Sequence, residues 1–354
     1  MRLANCVKFP LLHKIPSEQI PVIQCLRGIA ALSVCLFHLV TVPADFITMP
    51  IVRNSFELGR YGVHMFFMIS AIVIPLSMVR NQYSYRNWDR FMLKRLVRLE
   101  PAYLVAIVLT IIKYKMRVWL DPGTEDLTPG TRDLFLHLGY LVPFVNGQWA
   151  SEVFWTLSIE FQFYLFLSLL FPFVLNGNKY ARFSFYSIFL LLPFLEQNHE
   201  LLPLYGPLFL AGIVSVLRGS DIINLREYGI VSVLCLVVSI GKLPAEAIIA
   251  SMSTLIVVNT LSSYSNRLLN FLGRVSYSLY LIHIPTGLAF INIMSHHYTS
   301  WYQKLIIISS GCLIAIGSAW VFFLIIEKPF MNISARIQYR KTVQTTPVMP
   351  QTPL

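Results

Sequence analysis

The stretch "QCLRGIAALSVCLFHLV", residues 24–40, decides which solvent this chain folds in. It is apolar enough to cross a hydrocarbon core of about 30 Å as a helix, yet it contains Arg27 and His38. Eleven residues at about 100° each make about 1100°, within roughly 20° of three full turns. Arg27 and His38 therefore share one helix face, at depths about 16 Å apart. Ionisable side chains are costly inside a bilayer and mark function by default. Taken singly, Arg27 fits a snorkelling interfacial cation and His38 a hydrogen-bonded packing histidine. Their common face favours one polar path that serves both.

The composition agrees with a bilayer. Hydrophobic residues make up 56% of the 354 and charged residues 13%, with a mean hydropathy of +0.63; a soluble domain carries about a quarter charged residues. Lipid satisfies no backbone hydrogen bonds, so helices are expected, and the roughly ten-residue alternating segments of a membrane barrel are not seen. The fold class read here is an all-α integral membrane protein with about ten transmembrane helices. The windows lie near 22–43, 61–79, 99–117, 153–175, 183–196, 201–217, 228–241, 244–261, 271–293 and 304–326. Residues 1–20 form an amino-terminal segment, 21–330 the membrane domain, and 331–354 a tail with a disordered end.

Basic clusters set the orientation, because cytoplasmic flanks collect Lys and Arg. Arg80, Arg86, Arg90, Lys94, Arg95 and Arg98 fall on one side with Lys179, Arg182, Lys328, Arg336 and Arg340, which predicts that both termini are cytoplasmic. The net charge of +11 then reflects orientation and anionic lipid and calls for no nucleic acid. No small-residue cleavage site follows "LFHLVTVP", so the first span is read as retained rather than as a signal peptide. The five cysteines show no C-x-x-C pairing and no metal-like spacing. Buried packing suits them, although Cys35 sits close to the His38 face.

Four further segments bear polar groups at costly positions. "ELGRYGVHMFFMIS" places Gly59 and Gly62 at the entry of the second span, where they permit close backbone approach. "FMLKRLVRLEP" carries Arg95 and Arg98 at i, i+3, so both guanidinium groups can converge on one anion, or else on lipid headgroups. "WTLSIEFQFY" sets Glu160 in a span that enters from outside, in the same outer half of the membrane as His38, where its carboxylate can pair with His38 or with Arg60. "FLGRVSYSLYLIHIP" gathers Tyr277, Tyr280 and His283 near one face.

In this order, the five segments resemble the type 3 membrane acyltransferases, which include O-acetyltransferases of bacterial surface polysaccharides. The resemblance runs from about residue 20 to about residue 330. Its most specific part is Arg27, ten residues, His38; "KRLVRLEP" and the terminal "EKP" at Glu327 to Pro329 support it. Two positions depart from the family pattern: Ala71 stands where a glycine is usual, and His64 where an acidic residue is common.

The resemblance implies transfer of an acyl group, most often acetyl, from acyl-CoA on the cytoplasmic side to a hydroxyl of a surface glycan or lipid-linked saccharide. It implies a multi-pass protein of the cytoplasmic (inner) membrane whose donor, acetyl-CoA or another acyl-CoA, is a substrate; no permanently bound cofactor and no metal are expected. His38 would act as general base, with Glu160 orienting it and Arg27 beside them. Arg95 and Arg98 would hold donor phosphates, and Ser70, Tyr280 and His283 would line the substrate path. An acyl-enzyme on Cys35 or His38 is a further route. A secondary transporter would instead show two related halves with broken helices, a symmetry not evident here. A non-catalytic partner in glycan export would leave the aligned Arg27 and His38 without a task.

Overall fold

The computed structural model describes residues 20–43, 46–175, 178–295 and 300–340. Apart from Ile20, the amino-terminal segment expected at 1–20 lies outside the described residues, as does the tail beyond residue 340. Among the described residues every regular element is helical. Pro21 opens α1 (Pro21–Thr41), a position where its missing N–H costs nothing. A short α2 (Pro50–Glu57) and a 3₁₀ turn (Leu58–Tyr61) lead into α3 (Gly62–Arg80), followed by the long α4 (Trp88–Leu120) and the short α5 (Thr131–Leu138). Then come α6 (Trp155–Leu175), α7 (Lys179–Leu195), α8 (Leu202–Gly219), α9 (Leu225–Lys242) and α10 (Ala245–Thr260). The chain closes with α11 (Arg267–Arg274), α12 (Ser276–Ile282), α13 (Ala289–Ser295), α14 (Trp301–Phe322) and α15 (Lys328–Arg336).

Polar side chains start several of these helices by accepting hydrogen bonds from otherwise unpaired N–H groups. Asn178, Asn224 and Asn266 cap α7, α9 and α11, and Ser300 with Gln303 forms a capping box on α14.

The expectation of ten spans is met by helices in every window, but fewer are long and apolar enough to cross a membrane. Five qualify: Pro21–Thr41, Pro50–Arg80, Trp155–Leu175, Leu202–Gly219 and Trp301–Arg336. A sixth is the pair Ser276–Ile282 and Ile284–Ser295, if its 43° bend is counted as one broken span. The others fall short for physical reasons: α4 carries Lys94, Arg95, Arg98 and Glu100, α9 carries Arg226, Glu227 and Lys242, and α7 and α10 are short.

At the centre, α1 packs against α3, α11, α12 and α14, while α8 lies deep between α3, α7 and α9. A Cβ on Gly62 would stand 2.6 Å from the Ala30 carbonyl oxygen, so this glycine lets α3 lie directly on α1. Ala71 faces a small residue on the next helix. A Cβ on Gly212 of α8 would come within 2.5 Å of the Ala71 Cβ, so the contact keeps one glycine, on the other helix. Past residue 330 the chain is still packed: α15 lies along α4, and Arg340 bonds Asn87 and Asp89.

The connection between α4 and α6 is fixed by His137. Its Nδ1–H donates to the Asp133 carbonyl at 2.7 Å, and its Nε2 accepts the Ala150 N–H at 3.0 Å. Burial holds this imidazole below the usual histidine range, opposed by its bond to Asp133. Its neutral form thus contributes stability that is complete above the unfolded value of about 6.5 and is lost as pH falls below it. Hydrogen exchange at the Ala150 amide, corrected for the intrinsic rate, is expected to speed up between pH 7 and pH 5. Equal protection at both would contradict the neutral-acceptor assignment.

Candidate active site

α1 carries Arg27 at one end and His38 at the other, and the two face different surroundings. Arg27 lines a cavity of about 440 Å³ enclosed by α1, α3, α4, α6, α12 and α15. Lys94, Arg95 and Arg98 reach it from α4, and Glu160 and Tyr164 from α6. Ser70, Tyr277, Tyr280 and Glu327 complete its polar lining, with Phe66 and Phe67 among the apolar walls. Helix α15 closes one side through Asn332 and Ser334, and the Ser334 hydroxyl is tied to the Lys94 carbonyl at 2.8 Å.

The two carboxylates in this cavity are engaged by hydroxyls and backbone. Glu160 accepts from the Ser70 hydroxyl at 3.0 Å and from the Tyr164 hydroxyl one turn along α6. Glu327 is buried and accepts from the Ser278 N–H at 3.2 Å and the Ser278 hydroxyl at 2.5 Å. None of Arg27, Lys94, Arg95 and Arg98 has a carboxylate oxygen within 4 Å among the described residues. Arg95 instead lies over the rings of Phe91 and Tyr164, at 5.4 and 5.3 Å from their centroids. Half-buried guanidinium groups with no carboxylate within 4 Å among the described residues, gathered in one cavity, form a ready receptor for a multiply charged anion.

His38 does not line this cavity, and the expected pairing of Glu160 with His38 or Arg60 does not occur. Glu160 sits five residues into α6 and faces Ser70 and the basic cluster; depth along the membrane normal, on which the pairing rested, says nothing about direction around a helix. The partner of His38 is His283. His38 Nδ1 is 2.9 Å from the Val34 carbonyl oxygen and 3.1 Å from His283 Nε2. His283 Nδ1 is 2.9 Å from the Leu279 carbonyl oxygen. Carbonyls only accept, which assigns the tautomers: His283 donates through Nδ1 and accepts through Nε2, and His38 donates through Nδ1. The lone pair on His38 Nε2 is left to take up a proton.

A π-helical segment, Ile284–Leu288, begins just after His283, and the Leu288 N–H reaches back to the His283 carbonyl at 2.9 Å. Pro285 brings no N–H to the ladder, so the turn widens and α12 bends there. A second π segment, Phe323–Glu327, ahead of Pro329, turns Glu327 toward Ser278. Tyr280 stands between the two regions: it lines the cavity, its ring centroid is 6.2 Å from that of His283, and its hydroxyl is held by Thr156 and the Val153 carbonyl.

The family model described as "Acyltransferase domain", type 3, matches residues 20–324. This chain belongs to the type 3 acyltransferase family. A putative acetyltransferase, ORF330 of the Acidianus two-tailed virus, is 29% identical over 150 residues, covering 42% of this chain. The match spans 40% of that relative's length. No solved structure matches the chain. This member of the family has five helices, or six with the broken pair, long and apolar enough to cross a membrane.

This family member thus has Arg27, Arg95, Arg98, Ser70, Tyr280 and Glu160 on one cavity, while His38 and His283 form a separate pair beyond Tyr280. Sequence reasoning missed three features. Glu327 stood out only as part of "EKP", Tyr164 not at all, and His283 only as a path residue rather than the partner of His38. A polar residue two positions ahead of a proline in an apolar run, as in "LIHIP" and "IIEKP", is the signal that marks Glu327 and His283, because proline opens the helix ladder there. The Cys35 thiol faces Cys312 on α14 and does not line the cavity.

Proposed function

We propose that this protein is an O-acyltransferase that moves an acetyl group from coenzyme A to a hydroxyl of a surface glycan or lipid-linked saccharide, with His38 as general base. The reading places it in the cytoplasmic membrane with both termini inside, so that the basic cavity faces the donor and the histidine pair the acceptor. The observation that carries it is the division along α1: arginines gathered on one cavity at one end, and at the other a histidine whose Nδ1 is engaged by Val34 and His283, which leaves Nε2 as the acceptor. A coenzyme A thioester is a phosphate-rich anion with a long neutral arm. Its phosphates suit Arg27, Arg95 and Arg98, and its arm can extend past Ser70 and Tyr280 toward His38.

In the transfer, the acceptor oxygen attacks the thioester carbon as His38 Nε2 takes the hydroxyl proton. The new C–O bond replaces the C–S bond, and the departing thiolate recovers the proton from the imidazolium. His283 keeps the ring in the required tautomer by accepting from Nδ1–H, the office a carboxylate holds in a hydrolase triad. Glu160 acts from the cavity side, by fixing Ser70 and Tyr164 around the donor. The name of the viral relative, an acetyltransferase, favours acetyl over longer acyl groups.

The test is reconstitution in phospholipid vesicles with acetyl-labelled coenzyme A and candidate glycans and lipid-linked saccharides. Label is expected in ester linkage to an acceptor hydroxyl. Release of label only as acetate, with every acceptor left unmodified, contradicts the reading.

A further inference from the structure

Arg60 is an exposed cation beside the proposed base. It sits in the 3₁₀ turn Leu58–Tyr61, at the end of α1 opposite Arg27. A side chain on Gly59 would collide with the Ser33 carbonyl, so this turn is seated on α1 and Arg60 has a fixed origin. Its guanidinium carbon lies 5.3 Å from the centroid of the Phe37 ring. Phe37 in turn meets the His38 ring edge-on, with centroids 4.7 Å apart. No carboxylate of the described residues comes within 4 Å of Arg60, not even Glu57 three positions earlier. Close by on α3, the buried Nδ1 of His64 has no hydrogen-bond partner among the described residues.

This arrangement bears directly on proton transfer. When His38 takes a proton, its imidazolium and the Arg60 guanidinium both lie against the Phe37 ring, and the two like charges repel. A neutral acceptor leaves that repulsion in place. An anionic group seated on Arg60 removes it, and the same contact holds the neighbouring hydroxyl beside Nε2. The cation thus rewards acceptors that bring their own negative charge.

We propose that Arg60 is the specificity residue of the acceptor site and that the natural acceptor is an anionic saccharide, bearing a carboxylate or phosphate close to the hydroxyl that is acylated. This rests on the reading of His38 as the acceptor-side base.

The test uses the full chain in phosphatidylcholine vesicles with labelled acetyl-CoA and three probes of one sugar stereochemistry. These are decyl glucoside, decyl glucuronide and glucosyl decyl phosphate. One or both anionic probes are expected to exceed the glucoside in kcat/KM by about tenfold, the scale of one charged hydrogen bond. The preferred probe tells carboxylate from phosphate. Arg60→Gln should bring the anionic-to-neutral ratio close to one, and Arg60→Lys should recover most of it. Equal kcat/KM for all three probes, or an unchanged ratio in Arg60→Gln, overturns the proposal and leaves acyl transfer intact. Absence of label on every probe overturns the acyltransfer reading and this proposal together.

Discussion

Replacing His38 with Ala is expected to lower acyl transfer by about 10² to 10⁴-fold, the usual contribution of a positioned general base, while the protein stays at its normal level in the membrane. The expectation follows from the tautomer. With Nδ1–H committed to Val34 and His283, Nε2 is the one ring atom that can accept a proton, and no other imidazole nitrogen in the pair is free to replace it. His283 acts through His38, so its substitution separates positioning from packing. His283→Gln can still accept from His38 Nδ1–H through its amide oxygen, whereas His283→Leu cannot. The leucine variant is expected to lose most of the rate and the glutamine variant to regain part of it, with donor KM unchanged in both. Transfer at the wild-type rate by His38→Ala would remove the base from the mechanism. Loss of the protein itself from the membrane would make His38 a packing residue.

What could be read in the sequence divides along a physical line. Helix content and the long apolar runs depend on local periodicity, which a sequence displays directly, but the single polar path expected for Arg27 and His38 is not found, since Arg27 lines the cavity and His38 does not. Arg95 and Arg98 were legible for the same reason, being one turn apart on one helix. The His38–His283 contact joins residues 245 apart in the chain, and only the packing of α1 on α12 brings them together. Glu160 illustrates the limit most clearly. Its expected depth suggested His38 as a partner, yet rotation about the axis of α6 sends it to Ser70 instead. The ten windows register apolar runs, whereas five helices, or six with the pair broken at Pro285, are long and apolar enough to cross a membrane, because charges interrupt α4 and α9, and α7 and α10 are short.

At the donor end, Arg98→Gln is expected to raise the KM for acetyl-CoA by about 10 to 100-fold with little change in kcat. A charged hydrogen bond to phosphate is worth about 1.5–3 kcal/mol. Phosphates remote from the thioester are held equally in the ground state and the transition state, so their loss appears in KM. The magnitude depends on Arg98 having no carboxylate partner within 4 Å among the described residues. Were it already paired with Glu327 or Glu160, a phosphate would have to displace that partner, and the substitution would cost less. Those carboxylates are instead occupied by Ser278, and by Ser70 and Tyr164, so they temper the positive field without blocking it. Arg98→Lys keeps the charge but loses the fork that grips two oxygens at once, and its KM should fall between wild type and glutamine. Initial rates across donor concentrations give KM and kcat separately. A fall in kcat at unchanged KM would place Arg98 at the reacting carbonyl rather than at the phosphates, and would move the thioester into the basic cavity, away from His38.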